Sequence, residues 1–182
     1  MILPGILSSQ ISGHLFTLTG AYDALATVTV PSGGASSITF SAIPQTGYSH
    51  LQIRASSAAT TGFGIAYAQF NADATSGNYY THAVGGDGSS PYAYGTADFP
   101  RWVETPSAAN VKAGSVFDIL DYTNTNKYKT TRSLTGADWN GTGTVTLFSG
   151  LWKNTSAINR IDLTASNGNW TQYSQFSLYG IK

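Results

Sequence analysis

Residues 26–42 read Ala-Thr-Val-Thr-Val-Pro-Ser-Gly-Gly-Ala-Ser-Ser-Ile-Thr-Phe-Ser-Ala. Ala26, Val28 and Val30 alternate with Thr27 and Thr29, and Ile38, Phe40 and Ala42 alternate with Thr39 and Ser41. A period of two sends one set to one face of an extended chain and the other set to the opposite face, the mark of a half-buried strand. Between them, Pro31-Ser32-Gly33-Gly34 joins a fixed φ to glycine's access to positive φ, which is what a chain reversal needs. The stretch therefore predicts two strands with an antiparallel connection.

The same period recurs further along the chain. Leu51, Ile53 and Ala55 alternate with His50, Gln52 and Arg54, after the turn segment Pro44-Gln45-Thr46-Gly47. Strands are further expected over Phe63–Phe70, Tyr79–Val84, Val116–Tyr122 and Tyr128–Leu134. Thr144–Phe148, Ile161–Thr164 and Phe176–Tyr179 follow, punctuated by Asn140-Gly141, Asn154-Thr155-Ser156 and Asn167-Gly168-Asn169; Asn-Gly pairs favour the left-handed conformations of tight hairpins. Short strands at this density predict an all-β fold, a two-sheet antiparallel β-sandwich of jelly-roll type, with a barrel as the alternative. One domain over residues 23–182 is expected, and a chain of 182 residues can bury about 70% of its extended surface.

Residues 1–22 differ in character. Leu3, Ile6, Leu7, Ile11 and Leu15 are spaced by three and four, with Pro4 suited to a first helical turn and Gly13 to a stop. This reads as an amphipathic arm that docks on a particle or on sister subunits; the alternative is an arm that covers an edge of its own sandwich. The segment is too short and lacks the basic residues of a signal peptide, so neither a leader nor a membrane helix is expected. Residues 85–114 form the longest stretch without alternation, and such connections tend to carry recognition. Asp87, Tyr92, Tyr94, Arg101 and Trp102 are the recognition residues expected there.

Charged residues make up only 10% of the chain, nine basic against nine acidic, for a net charge of zero. That leaves no basic field to release counterions from a nucleic acid, and it suits a protein built into an assembly better than one that diffuses alone. Absence of cysteine removes disulfides, thiolate metal sites and thiol nucleophiles. His14, His50 and His82 are far apart and read as ordinary polar residues, so no metal or cofactor is expected. No Gly-x-Ser-x-Gly elbow occurs. A glycosidase would need two carboxylates across a concave sheet. Glu104 is the only glutamate, and Asp118 and Asp121, on one expected strand, are oddly spaced and so fall on opposite faces. Asp73 and Asp87 are conceivable calcium ligands but read better as turn residues. Trp102, Trp139 and Trp170 lie in or beside expected loops, where they would stack on a sugar or plug the ends of the sandwich. Lys127, Lys129 and Arg132, around Tyr128, form a basic cluster too small for nucleic acid, and it reads as a solvated strand face.

Tyr48–Arg54, Phe117–Tyr122, Asn126–Thr130, Phe148–Trp152 and Gln175–Lys182 together resemble a family of small virion structural proteins of tailed bacteriophages, labelled as tail-fibre or unassigned virion proteins. The likeness runs from about Thr27 to the last residue and transfers no catalytic motif. It implies a non-enzymatic virion component on the particle exterior, a tail-fibre or host-recognition module, with a capsid decoration protein as the alternative and a free carbohydrate-binding module or glycanase as the least favoured. The implied partners are other phage virion proteins, further copies of the chain in a homo-oligomer for which a trimer would suit a threefold site, and a host surface glycan; nucleic acid and membrane are not among them.

Overall fold

The structure, a computed structural model, describes residues 20–61, 63–106, 110–139, 141–166 and 168–182. The arm residues Leu3, Ile6, Leu7, Ile11 and Leu15, and His14 with them, lie outside these. The strands are β1 (Tyr22–Thr29), β2 (Ser37–Phe40), β3 (His50–Ser57), β4 (Gly64–Phe70), β5 (Tyr79–Gly86), β6 (Pro91–Thr96), β7 (Arg101–Thr105), β8 (Ala113–Leu120), β9 (Lys129–Asp138), β10 (Gly143–Trp152), β11 (Ile161–Ala165) and β12 (Gln175–Ile181). They form an antiparallel β-sandwich. An eight-stranded sheet runs β1-β12-β3-β8-β9-β10-β5-β6, and a four-stranded sheet runs β2-β11-β4-β7. Among the described residues no helix is long and apolar enough to cross a membrane.

The expected long connection over residues 85–114 is corrected: it holds β6 and β7. β6 alternates Tyr92, Tyr94 and Thr96 with Pro91, Ala93 and Gly95, a pattern with little hydropathy contrast. β7 is buried on both faces from Trp102 to Thr105, so it carries no alternation at all.

Leu51, Ile53, Phe117, Ile119, Phe176 and Leu178 point inward from the large sheet and meet Ile38, Phe40, Ala66, Ala68, Phe70, Ile161 and Leu163 of the small one. Trp102 enters this core from β7 with ring centroids 5.7 Å from Phe117, 6.1 Å from Trp170 and 6.1 Å from Phe176. Trp152 and Trp170 are buried as well. Of the tryptophans placed in loops by the sequence reading, Trp102 and Trp170 therefore pack the interior.

Strand β9 is turned against the usual order. Its buried face is Lys129, Thr131, Ser133 and Thr135, while Leu134 faces outward. The Lys129 ammonium donates to the carbonyls of Asn124 (2.5 Å), Thr155 (2.9 Å) and Lys127 (3.1 Å), tying the 121–128 and 153–160 connections together. The expected basic strand face is thus dispersed: Lys129 is inside, Lys127 pairs with Asp121, and Arg132 lies on the outer face against Asp118 at 2.8 Å.

Two carboxylates act as staples. Asp73 accepts from Trp152 Nε1 at 2.8 Å, Asn78 Nδ2 at 2.9 Å and the Thr75 amide at 3.0 Å, closing the β4–β5 connection. Asp162 on β11 accepts from Arg160 and from Thr39 on β2. Burial raises both pKa values, but the donated hydrogen bonds outweigh it and hold each below the ordinary aspartate value. A depressed native pKa stabilises the fold above the unfolded value of about 3.9, and that stability is lost as pH falls through the native value. Thermal unfolding is therefore expected to be flat from about pH 7 to pH 5 and to fall below about pH 4; equal melting temperatures at about pH 2.5 and pH 7 would contradict these staples.

Candidate recognition cleft

Two hairpins and one loop residue meet at one end of the sandwich. The β5–β6 reversal, Asp87 to Ser90, is fastened by Asp87, whose Oδ1 accepts from the amides of Ser89 at 2.8 Å and Ser90 at 2.7 Å. Those amides, Ser90 first, hold its carboxyl below the ordinary aspartate range. Gly88 turns the chain at a φ of +88°. The β9–β10 reversal follows the same logic: Asp138 Oδ1 accepts from the Gly141 amide, and Trp139 N–H donates to the Thr142 carbonyl. This turn delivers Trp139 to Phe63, which precedes β4, with ring centroids 5.6 Å apart and planes at 66°. Phe63, Trp139, Asp87, Ser89, Thr142 and Thr144 line a cleft of about 600 Å³.

One wall of the cleft is aromatic, and the others carry hydroxyls and one carboxylate. Aromatic rings offer a flat apolar surface to the C–H face of a sugar, while hydroxyls and carboxylate can bond its polar edge. Because Asp87, Ser89, Trp139 and Thr142 sit on fastened hairpins, these surfaces are held in place before any ligand arrives.

The expected recognition residues divide among different places. Asp87 lines the cleft. Tyr92, Tyr94 and Arg101 are brought together, but on the inward side of β6 and β7, where they clasp the open edge of the sandwich. The Tyr92 and Tyr94 rings stack at 6.4 Å. The Arg101 guanidinium sits 5.2 Å above the Tyr94 ring, donates to its hydroxyl at 3.2 Å and pairs with Asp98 at 3.5 Å. Tyr92 donates to Glu104 Oε1 at 3.0 Å, and Thr144 donates to Glu104 Oε2. The lone glutamate is thus a buried acceptor that binds β6 and β10 to β7. Trp102 has no exposed surface and takes no part in the cleft. In the sequence Phe63 marks only the start of a strand, and Trp139 is one of three tryptophans in or beside expected loops. The signal that singles out Trp139 is the Asn140-Gly141 turn directly after it.

The remaining candidates have partners of their own. His50 Nδ1 accepts from the Asp121 amide at 2.9 Å, and the His82 ring lies 5.1 Å from that of Tyr80. Asp118 holds Gln52 and Arg132 on the outer face of β8, while Asp121 lies in the turn just past that strand, with a φ of +48°. Among the described residues no group of three or more His, Asp or Glu side chains is gathered as a metal site. No protein-family profile, curated protein or solved structure matches the chain.

Proposed function

We propose that this chain is a non-enzymatic structural module of a bacteriophage virion, displayed on the particle exterior, which holds a host-surface glycan in the cleft beside Trp139. The observation that carries the reading is the Phe63–Trp139 wall facing Asp87, Ser89 and Thr142 across a cleft framed by two hairpins. Supporting it, Glu104, Asp118 and Asp162 are each engaged by hydrogen-bond donors within the fold, which favours a surface that adheres over one that turns over substrate. The reading combines this geometry with the virion resemblance of segments such as Phe117–Tyr122 and Gln175–Lys182. In it, the N-terminal segment with Leu3, Ile6, Leu7, Ile11 and Leu15 joins the sandwich to other virion proteins.

Localising the protein in an electron-microscopy map of intact particles tests its place: density on the tail supports a fibre or host-recognition module, whereas density over head subunits assigns it to capsid decoration. A glycan array on the isolated protein tests the cleft. Trp139→Ala is expected to weaken any retained glycan about tenfold, the effect of losing one stacked ring worth about 1.4 kcal/mol. The melting temperature should barely move, since Trp139 is only half buried. Glycan retention unaffected by Trp139→Ala would remove the cleft from the account.

A further inference from the structure

We propose that the outer face of the eight-stranded sheet is a twofold interface with a second copy of this chain. This stands on the sheet alone and does not depend on where the protein works. The strand register sets Val116, Leu134, Leu147 and Val84 side by side on β8, β9, β10 and β5. All point away from the core, and together with Val145 they are between 38% and 60% exposed. The next row along the same four strands is Gly114, Gly136, Val145 and Gly86. An apolar ridge therefore runs beside a trough that glycine keeps open on three of the four strands.

Backbone geometry does not explain those glycines. None of the three is among the residues at positive φ. A Cβ at Gly114 would meet nothing within 4 Å, and one at Gly136 nothing closer than 3.5 Å. Glycine weakens a strand interior, and it recurs there where another chain or a ligand must come close. On β9 the apolar side chain is outside while Thr131, Ser133 and Thr135 are inside, the reverse of what a solvated face requires. Contiguous exposed apolar surface of this kind marks an interaction site.

The occupant follows from the spacing of ridge and trough. A twofold axis lying in the interface, parallel to the two rows and midway between them, places each copy's ridge over the other's trough. Val116 then meets the partner's Gly114, Leu134 the partner's Gly136 and Val84 the partner's Gly86, while Leu147 rests on the partner's Val145. This is the self-complementarity that an isologous contact needs. The same operation carries Arg132, one row beyond the ridge, towards the partner's Asp138, one row beyond the trough on the same strand, so opposite charges approach. Four strands at about 4.8 Å and the three row intervals from Arg132 to Asp138 at about 6.7 Å give a patch of roughly 19 by 20 Å, the centre of a contact that a standard interface extends to about 800 Å² per partner. Two sheets can pack in this aligned way with side chains interdigitating.

Sedimentation velocity on the full chain between about 1 and 200 µM tests the inference. A concentration-dependent dimer is expected. Gly114→Leu, which fills the trough where there is open space, and Leu134→Asp, which charges the ridge, should each raise the dimer dissociation constant at least tenfold. Far-UV circular dichroism should stay unchanged for both variants. A chain that stays monomeric, a trimer, or a dimer indifferent to both substitutions would overturn it. So would a monomer whose Leu134 and Leu147 resist radical footprinting, because that places the chain's own N-terminal segment on the face.

Discussion

Trp102→Ala is expected to remove about 3–5 kcal/mol of stability, a large share of what a domain of this size possesses. The indole is fully buried between Phe117, Trp170 and Phe176, where the two sheets are bridged by β7. Truncation leaves a cavity that neighbours from β8, β12 and the β11–β12 connection cannot collapse into together. In a chain of this length the loss corresponds to a fall in melting temperature of roughly 10 °C or more. Trp102→Phe should be much milder, because the indole N–H has no hydrogen-bond partner among the described residues to lose. A loss below about 1 kcal/mol for the alanine variant, read by urea denaturation, would contradict the packing described.

Lys129→Met is expected to cost about 3 kcal/mol even though the new side chain is apolar and of similar length. The ammonium is fully buried, and it satisfies the carbonyls of Asn124, Lys127 and Thr155 at once. Burial, aided by the charge of Lys127, lowers its pKa. Methionine would fill the space but take the shared donor from three partly buried carbonyls, and hydrogen bonds to a charged group contribute about 1.5–3 kcal/mol each. Lys127→Ala supplies the contrast: its pair with Asp121 is at the surface, so its removal should cost within about 1 kcal/mol. Equal effects for the two lysines, measured by chemical denaturation, would show that Lys129 is not the bolt between the two connections.

These two residues also show where the sequence is transparent and where it is opaque. Alternation located strands wherever apolar and polar residues take turns, as in Val28–Thr29, Ile38–Thr39 or Ile161–Asp162. It missed β7 because Trp102, Val103, Glu104 and Thr105 are all buried, and a strand covered on both faces has no period to display. It missed β6 because tyrosine, alanine and glycine differ little in hydropathy. For β9 the period was visible but its sense was not: Leu134 marks the outer face, while the buried face carries lysine, threonine and serine. Alternation reports that two faces differ, not which of them is inside. The candidate cleft was half legible. Asp87 and Trp139 stand beside turn signals, but the approach of Phe63 to Trp139 spans strands far apart in the chain, and local pattern carries no information on that distance.

Strand β12 sits between β1 and β3, and β11 sits between β2 and β4. The first strands of each sheet therefore find neighbours only after nearly all of the intervening polypeptide has been made. During synthesis, β1 and β2 must wait unpaired until Gln175–Ile181 and Ile161–Ala165 clear the ribosome. Such non-local pairing slows folding and prolongs exposure of bare strand edges. Nascent chains stalled before residue 161 should be protease-sensitive and dependent on chaperones, whatever the stability of the finished sandwich.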